Sequence, residues 1–105
     1  MTSGEATYAD AASALGVAAW QRFEHTGDLS DIRRAVEAWQ LAVEHTPASS
    51  PTLAERLSLL GVALLGRFER TGHLPDLDRA VSTAELLVGH PDVHGRRPGA
   101  APGLP

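Results

Sequence analysis

Histidine side chains offer this chain its best route to metal chemistry, because imidazole is the commonest metal ligand in proteins. His90, Asp92 and His94 lie close together near the carboxyl end. Two histidines four residues apart can share an ion on one helix face, but Pro91 and Gly95 interrupt the helix that would orient them. No third strong ligand follows, so we predict no metal site.

Other candidates for chemistry have structural explanations. His25 and His45 lie near predicted helix carboxyl ends, where a partial positive charge is favourable. Glu24 and Glu69 are the only glutamates that recur at one position of an internal repeat, each beside an Arg and a Phe. General acid and base catalysis would need such carboxylates in a cleft that shifts their pKa. We instead expect them to fix a turn by pairing with Arg22, Arg67 or a neighbouring backbone N–H.

Motifs of the common enzyme classes are missing from the sequence. The chain contains no Gly-x-Ser-x-Gly nucleophile motif, no glycine-rich phosphate loop and no His-Glu-x-x-His zinc motif. It has no cysteine, which excludes disulfides, thiolate metal sites and a cysteine nucleophile. We therefore predict a protein that is not an enzyme, with no catalytic residues and no cofactor.

The charge pattern excludes two classes of partner. The net charge is −4, and basic residues cluster no further than the pairs Arg33-Arg34 and Arg96-Arg97, so we predict no nucleic-acid binding. The first ten residues lack the basic start and apolar stretch of a secretory signal. No apolar run approaches the about 20 residues that span a bilayer. We expect a cytoplasmic protein with no membrane partner.

The elements that must position these side chains come from an internal repeat with an offset of 45 residues. Between residues 15 and 36, 14 of 22 positions are identical to the residue 45 positions later. The shared pattern reads Leu-Gly-Val-Ala, Arg-Phe-Glu, Thr-Gly, Leu, Asp and Arg-Ala-Val. A single helical hairpin cannot bury its apolar stripe alone, so each copy is predicted to be one hairpin that stacks on the other.

Apolar residues at three- and four-residue spacing predict four helices, and therefore an all-α fold of two tandem antiparallel hairpins. The first helices carry the stripes Tyr8, Ala12, Leu15, Ala19, Phe23 and Leu53, Leu57, Leu60, Leu64, Phe68. The second helices carry Ile32, Ala35 or Val36, Trp39, Ala42 or Val43, and Leu77, Ala80 or Val81, Ala84, Leu87 or Val88.

Glycine, aspartate and proline fall where those helices must begin and end. Gly27 and Gly72 follow the first helices, where a left-handed residue closes a helix at low cost. Asp28 or Ser30 can cap the second helix of copy one. Pro75 fits the first turn of the corresponding helix in copy two, where its missing N–H costs nothing.

Repeated residues inside the helices suit the helix dipole and close packing. Asp31 and Asp76 lie near the starts of the second helices, where the dipole favours a carboxylate, and an arginine follows each three residues later. Gly16, Gly61 and Gly66 lie within the first helices. We expect the missing side chain to let a neighbouring helix approach closely, at about 1 kcal/mol of helix propensity each.

The chain divides into a repeat region and a tail. The two copies are predicted to occupy about residues 5–47 and 50–89 within a repeat region of residues 1–89, joined by Thr-Pro-Ala-Ser-Ser-Pro at residues 46–51. Residues 90–105 contain four prolines and three glycines. That composition predicts a flexible tail or linker.

Copy one resembles the tetratricopeptide repeat. It has the small Ala35, the large aromatic Trp39, the small Ala42 and the closing Pro47 at the intervals of that family, preceded by a Leu-Gly pair in its first helix. The resemblance implies an α-solenoid of stacked hairpins in which Trp39 is buried between the two repeats. It covers residues 8–89.

Copy two departs from the family pattern. Ala84 stands at the aromatic position and Leu87 at the second small position, and Pro91 comes one residue early. The unit is also longer than the family's about 34 residues, by additions of about one turn per helix that keep each apolar face toward its neighbour. Long units of this kind are similar to degenerate repeats of actinobacterial proteins, whose arrays precede a caspase-like CHAT protease domain or accompany signalling ATPase modules.

The resemblance implies a protein-protein interaction or scaffolding module, which binds a peptide or partner protein or self-associates. Two hairpins are fewer than the three or more repeats usually needed, so we expect a homo-oligomer that covers the exposed apolar faces. Trp20 has Leu65 as its counterpart, and it is a core filler, an oligomer contact or a ligand anchor.

The alternative functions are a spacer within a longer array and a small metal-binding protein or enzyme that uses its histidine-bearing carboxyl end. The candidate partner-binding residues are Trp20, Arg22, Glu24, Arg67 and Glu69.

Overall fold

The fold consists of four α-helices in a computed structural model that describes the backbone of residues 3–89 and the side chains of residues 7–89. The helices are α1 (Ser3–Thr26), α2 (Leu29–Glu44), α3 (Leu53–Thr71) and α4 (Leu74–Val88). α1 packs on α2, α2 on α3 and α3 on α4, and residues 3–89 contain no strand. The predicted all-α fold of two hairpins is confirmed, while the predicted tail lies outside the described residues.

Both hairpins turn at a Thr-Gly pair. Gly27 and Gly72 have φ angles of 70° and 72°, and the N–H of each donates to the carbonyl of the phenylalanine four residues earlier at 2.7 Å. The hydroxyl groups of Thr26 and Thr71 accept hydrogen bonds from the amides two residues later, at 3.0 and 3.1 Å. A side chain with a Cβ is disfavoured at this φ, so the predicted glycine turns are confirmed in both copies.

The two second helices begin differently. Asp28 caps α2, because its Oδ1 accepts a hydrogen bond from the Ser30 amide at 2.9 Å. That bond stabilises the charged carboxylate and lowers the pKa of Asp28 below its usual value. α4 instead carries Pro75 in its first turn, and His73 at its N-cap position makes no side-chain capping bond.

The core lies where the two hairpins meet. Trp39 is 2% exposed, and its indole Nε1 donates to the Ser13 carbonyl at 3.2 Å, so the predicted burial is confirmed. The ring lies against Gly16, whose missing side chain leaves room for it. The buried core cluster comprises Ala19, Ala35, Val36, Trp39, Leu60, Ala63, Leu64 and Ala80.

A buried arginine ties the connector between the hairpins to both of them. Arg56 Nη2 donates to Asp10 Oδ1 at 2.5 Å, and Arg56 Nη1 donates to Thr46 Oγ1 at 2.8 Å. The Thr46 hydroxyl in turn donates to the Ala42 carbonyl at 2.5 Å. This network links α1, the end of α2 and the start of α3, and therefore fixes how one hairpin sits on the other.

The apolar stripes of the two outer helices are only partly buried. In α1, Tyr8 and Leu15 are exposed although they lie in the predicted stripe with buried Ala12 and Ala19. Val81 and Val88 of α4 are exposed as well. The cause is the length of the stack, since within the described chain no further hairpin covers either end.

Candidate functional site

Arg67 makes a bidentate ion pair with Asp76. Its Nε lies 2.9 Å from Asp76 Oδ2 and its Nη2 lies 2.8 Å from Asp76 Oδ1. Asp76 is 1% exposed, so the pair joins the last turns of α3 to the first turn of α4 largely away from solvent. The hydrogen bonds from Arg67 lower the pKa of Asp76 despite its burial, and Asp76 raises the pKa of Arg67.

Arg22 and Asp31 are the corresponding residues of the first hairpin, in a looser geometry. Arg22 Nη1 lies 3.9 Å from Asp31 Oδ1. The Thr26 hydroxyl donates to Asp31 Oδ2 at 3.0 Å, and Arg34 Nη1 donates to Asp31 Oδ1 at 3.5 Å. Asp31 is therefore buried with several partners, whereas Asp76 relies mainly on Arg67.

The predicted pairing of Glu24 and Glu69 with Arg22 and Arg67 is wrong, because these arginines pair with Asp31 and Asp76. The expected contact of each aspartate with the arginine three residues later holds for Arg34 but not for Arg79, whose Nη2 donates to Gln40 of α2. The overlooked signal was the spacing itself, because an arginine precedes an aspartate by nine residues in both copies.

Trp20 and Glu24 are held together on α1. The indole Nε1 of Trp20 donates to Glu24 Oε2 at 3.1 Å. The ring is half-buried, with its centre 6.1 Å from that of Trp39, and its edge reaches Gly66 of α3. Trp20 thus fills space between the hairpins. Glu69, the counterpart of Glu24, is exposed on α3.

An apolar groove runs between α1 and α2 at the amino-terminal end of the stack. It encloses about 310 Å³. Of the five predicted binding residues, only Arg22 lines it, at its rim with Arg34 and Glu37. We name this surface the amino-terminal groove, defined by Leu15, Ala18, Ala19, Arg22, Arg34, Glu37, Ala38 and Leu41.

The repeat shows what a covered version of this groove looks like. Leu15 in the groove is 66% exposed, whereas Leu60 at the same position of copy two is 6% exposed. Leu60 belongs to the core cluster with Val36 and Trp39 of α2, which lie over the second hairpin. The amino-terminal groove is therefore the uncovered counterpart of an internal helix-binding surface.

A second apolar surface lies at the other end of the stack. Val81 of α4 is 51% exposed, whereas Val36, its counterpart in α2, is 2% exposed. The surface has a single charged residue, Glu85. We name it the α4 face, defined by Val81, Ala84, Glu85 and Val88.

His25 and His45 contact a backbone carbonyl and an aromatic ring, respectively. His25 Nδ1 lies 2.9 Å from the Gln21 carbonyl oxygen, and the His45 ring packs edge-on against Tyr8 with centroids 4.7 Å apart. Both residues lie at helix carboxyl ends as predicted. Within residues 7–89, no three His, Asp or Glu side chains are grouped as metal ligands would be. The cluster at residues 90–94 lies outside the described residues.

The fold and these surfaces define an all-α pair of stacked helical hairpins with uncovered apolar ends. No protein-family model, curated protein or solved structure matches the chain. None of the helices between residues 3 and 89 combines the length and the apolar character needed to cross a bilayer.

Proposed function

We propose that this chain is a cytoplasmic protein-protein interaction module of tetratricopeptide type, whose binding surface is the amino-terminal groove. The observation that carries the proposal is the contrast between Leu15 and Leu60, which occupy the same position of the repeat. Leu15 is exposed in the first hairpin, whereas Leu60 is buried in the second hairpin under a helix. A groove of this shape, with an apolar floor and a charged rim, suits the apolar face of an amphipathic helix from a protein or peptide.

A binding role fits the charges of the molecule better than catalysis or nucleic-acid recognition. Arg67 and Asp76, whose pKa values are shifted, are committed to each other across a hairpin turn. Asp28, the other group with a shifted pKa, caps a helix. The net charge of −4 disfavours a phosphate-binding surface. These groups need no metal or cofactor to explain them.

Site-specific photo-crosslinking tests the proposal. A photoreactive benzophenone side chain replaces Leu41 in the groove, and a matched variant carries it at exposed Ala48 in the connector. We expect discrete protein adducts from position 41 in extracts of the producing organism, identified by mass spectrometry, and none of these from position 48. Identical adduct patterns from the two positions would contradict the proposal.

A spacer within a longer repeat array is the second candidate function. One observation favours it: both ends of the hairpin pair expose the counterparts of residues that its own repeats bury on stacking, such as Leu15 and Val81. The sequence encoded on either side of residues 1–105 tests this candidate. Further units with the Arg-x8-Asp spacing would support it, and flanking sequence without them would exclude it.

A further inference from the structure

We propose that the occupant of the amino-terminal groove is the α4 face of a second copy of this chain, so that copies associate head to tail. This inference rests on the proposed function, since it names the partner of the same groove. It follows from one contact that the molecule already makes internally and from the charges at the two ends.

The internal contact is the packing of α2 on the second hairpin. Val36 and Trp39 lie in one cluster with Leu60 and Leu64, and Val43 packs against that cluster. At the edge of the contact, Arg79 of α4 donates a hydrogen bond to Gln40 of α2. This arrangement is the template for how one helix fits the groove of a hairpin.

Each side of this contact has repeat counterparts, 45 positions away in the sequence, that lie on an exposed surface. The groove residues Leu60, Leu64 and Arg79 become Leu15, Ala19 and Arg34, which line the amino-terminal groove. The α2 residues become α4 residues in the same way. Val36, Trp39, Gln40 and Val43 correspond to Val81, Ala84, Glu85 and Val88, which are the four residues of the α4 face.

The contact between Arg79 and Gln40 becomes an ion pair when both residues are replaced by their repeat counterparts. Arg79 with Gln40 corresponds to Arg34 with Glu85, so a positive side chain on the groove rim meets a negative one on the incoming helix. Opposite charges at matched positions favour this register over alternatives. The same charges identify a second copy as the occupant, since α4 supplies both the apolar residues and the acid that the groove requires.

Two substitutions make the contact between copies weaker than its internal template. Ala84 offers much less apolar surface than Trp39. Ala11 stands where α3 has Arg56, so the link that Arg56 makes to Asp10 has no equivalent between copies. The association is therefore reversible. Each copy carries one groove and one α4 face, so the contact is heterologous and does not fix a copy number.

Charge exchange between the two surfaces tests the proposal by sedimentation velocity on the chain of residues 1–105. The wild type is expected to shift to larger species as its concentration rises into the millimolar range. Glu85→Arg and Arg34→Glu each place like charges together, and each alone is expected to weaken association about tenfold or more. An equimolar mixture of the two variants restores opposite charges at every contact and is expected to regain the large species.

Arg33→Glu provides the matched control. It makes the same charge change as Arg34→Glu in the adjacent residue, which does not line the groove, and association is expected to persist. Glu85 is exposed, so Glu85→Arg keeps the fold, which circular dichroism verifies for each variant.

Two results would overturn the head-to-tail contact: a wild-type chain that stays monomeric at every concentration, or a mixture no larger than its separate components. Photo-crosslinks from position 41 to a different protein, together with a monomeric chain, would overturn self-association and leave the proposed function supported. No specific adduct from that position would remove the proposed function as well.

Discussion

The indole of Trp39 lies directly against the backbone of Gly16, and a Cβ atom on residue 16 would come within 2.5 to 2.7 Å of the ring. At the equivalent position of copy two, a Cβ on Gly61 would have Thr83 Cγ2 as its nearest neighbour, at 3.9 Å. The difference follows from Ala84, which stands where copy one has Trp39. One glycine is therefore required by its neighbour and the other is not.

This difference predicts opposite effects for the same substitution. Gly16→Ala is expected to destabilise the protein by about 1 kcal/mol. Overpacking costs about 1–3 kcal/mol, which exceeds the gain of about 1 kcal/mol from the higher helix propensity of alanine. Gly61→Ala is expected to stabilise it by up to about 1 kcal/mol, since only the gain applies. Urea unfolding followed by circular dichroism measures both. Equal effects of the same sign would contradict this packing account.

The Arg67–Asp76 and Arg22–Asp31 pairs predict unequal losses of unfolding free energy when the arginine is removed. Arg67→Ala leaves Asp76 buried without its main partner and is expected to cost about 2–4 kcal/mol of unfolding free energy. Arg22→Ala is the matched control. It is expected to cost less than about 1 kcal/mol, because Thr26 and Arg34 still contact Asp31. A larger loss of unfolding free energy for Arg22→Ala than for Arg67→Ala in urea unfolding would contradict this prediction.

The lowered pKa of Asp76 predicts how its contribution depends on pH. The folded state holds this carboxylate deprotonated more strongly than the unfolded state does. The stabilisation is therefore fully present above the unfolded aspartate pKa of about 3.9 and is lost as pH falls through the lower folded value. The destabilisation caused by Asp76→Asn, measured by urea unfolding at a series of pH values, should shrink toward acid pH. The change in stability caused by the uncharged substitution Gly61→Ala should stay constant over the same pH range.

The unequal starts of α2 and α4 predict a local capping effect. Asp28→Ala removes the acceptor for the Ser30 amide and is expected to cost about 1 kcal/mol. His73→Ala at the start of α4 removes no side-chain capping bond and should change stability by less than about 0.5 kcal/mol. Thermal unfolding of the two variants provides the comparison. A cost at His73 equal to that at Asp28 would exclude capping as the cause.

The template for head-to-tail contact predicts a variant with stronger association. Ala84→Trp restores on the α4 face the aromatic residue that α2 uses in the internal contact, and it adds apolar surface there. We expect larger species in sedimentation velocity at concentrations where the wild type is monomeric. Ala48→Trp, in the exposed connector, is the matched control for nonspecific association caused by an exposed tryptophan. Association by both variants to the same extent would argue against the α4 face.

Local pattern and repetition were sufficient to predict most of the fold. The Thr-Gly turns and the cap at Asp28 follow from short-range chemistry, because each depends on residues close in sequence. The burial of Trp39 was implied instead by the resemblance of copy one to the tetratricopeptide repeat. Repetition contributed most to this agreement, since it marked which glycines close helices.

Contacts that depend on tertiary placement were not predictable in the same way. Arg56 is an isolated arginine in a helical segment, and nothing near it indicates that it reaches Asp10 across the hairpin interface. Leu15 and Val81 belong to regular apolar stripes, yet they are exposed because burial depends on what lies beyond the ends of the stack. Periodicity reports which side of a helix is apolar, and only the assembled structure reports whether that side is covered.

The Arg22–Asp31 and Arg67–Asp76 pairs each lie within one hairpin, and this has a consequence for how such chains lengthen during evolution. A genetic breakpoint between residues 22 and 31 would part a buried carboxylate from its arginine. A breakpoint in the connector at residues 46–51 would copy a hairpin with its internal charge pair intact. The 45-residue unit therefore carries both members of its turn ion pair, so tandem duplication can add hairpins without separating that buried aspartate from its arginine.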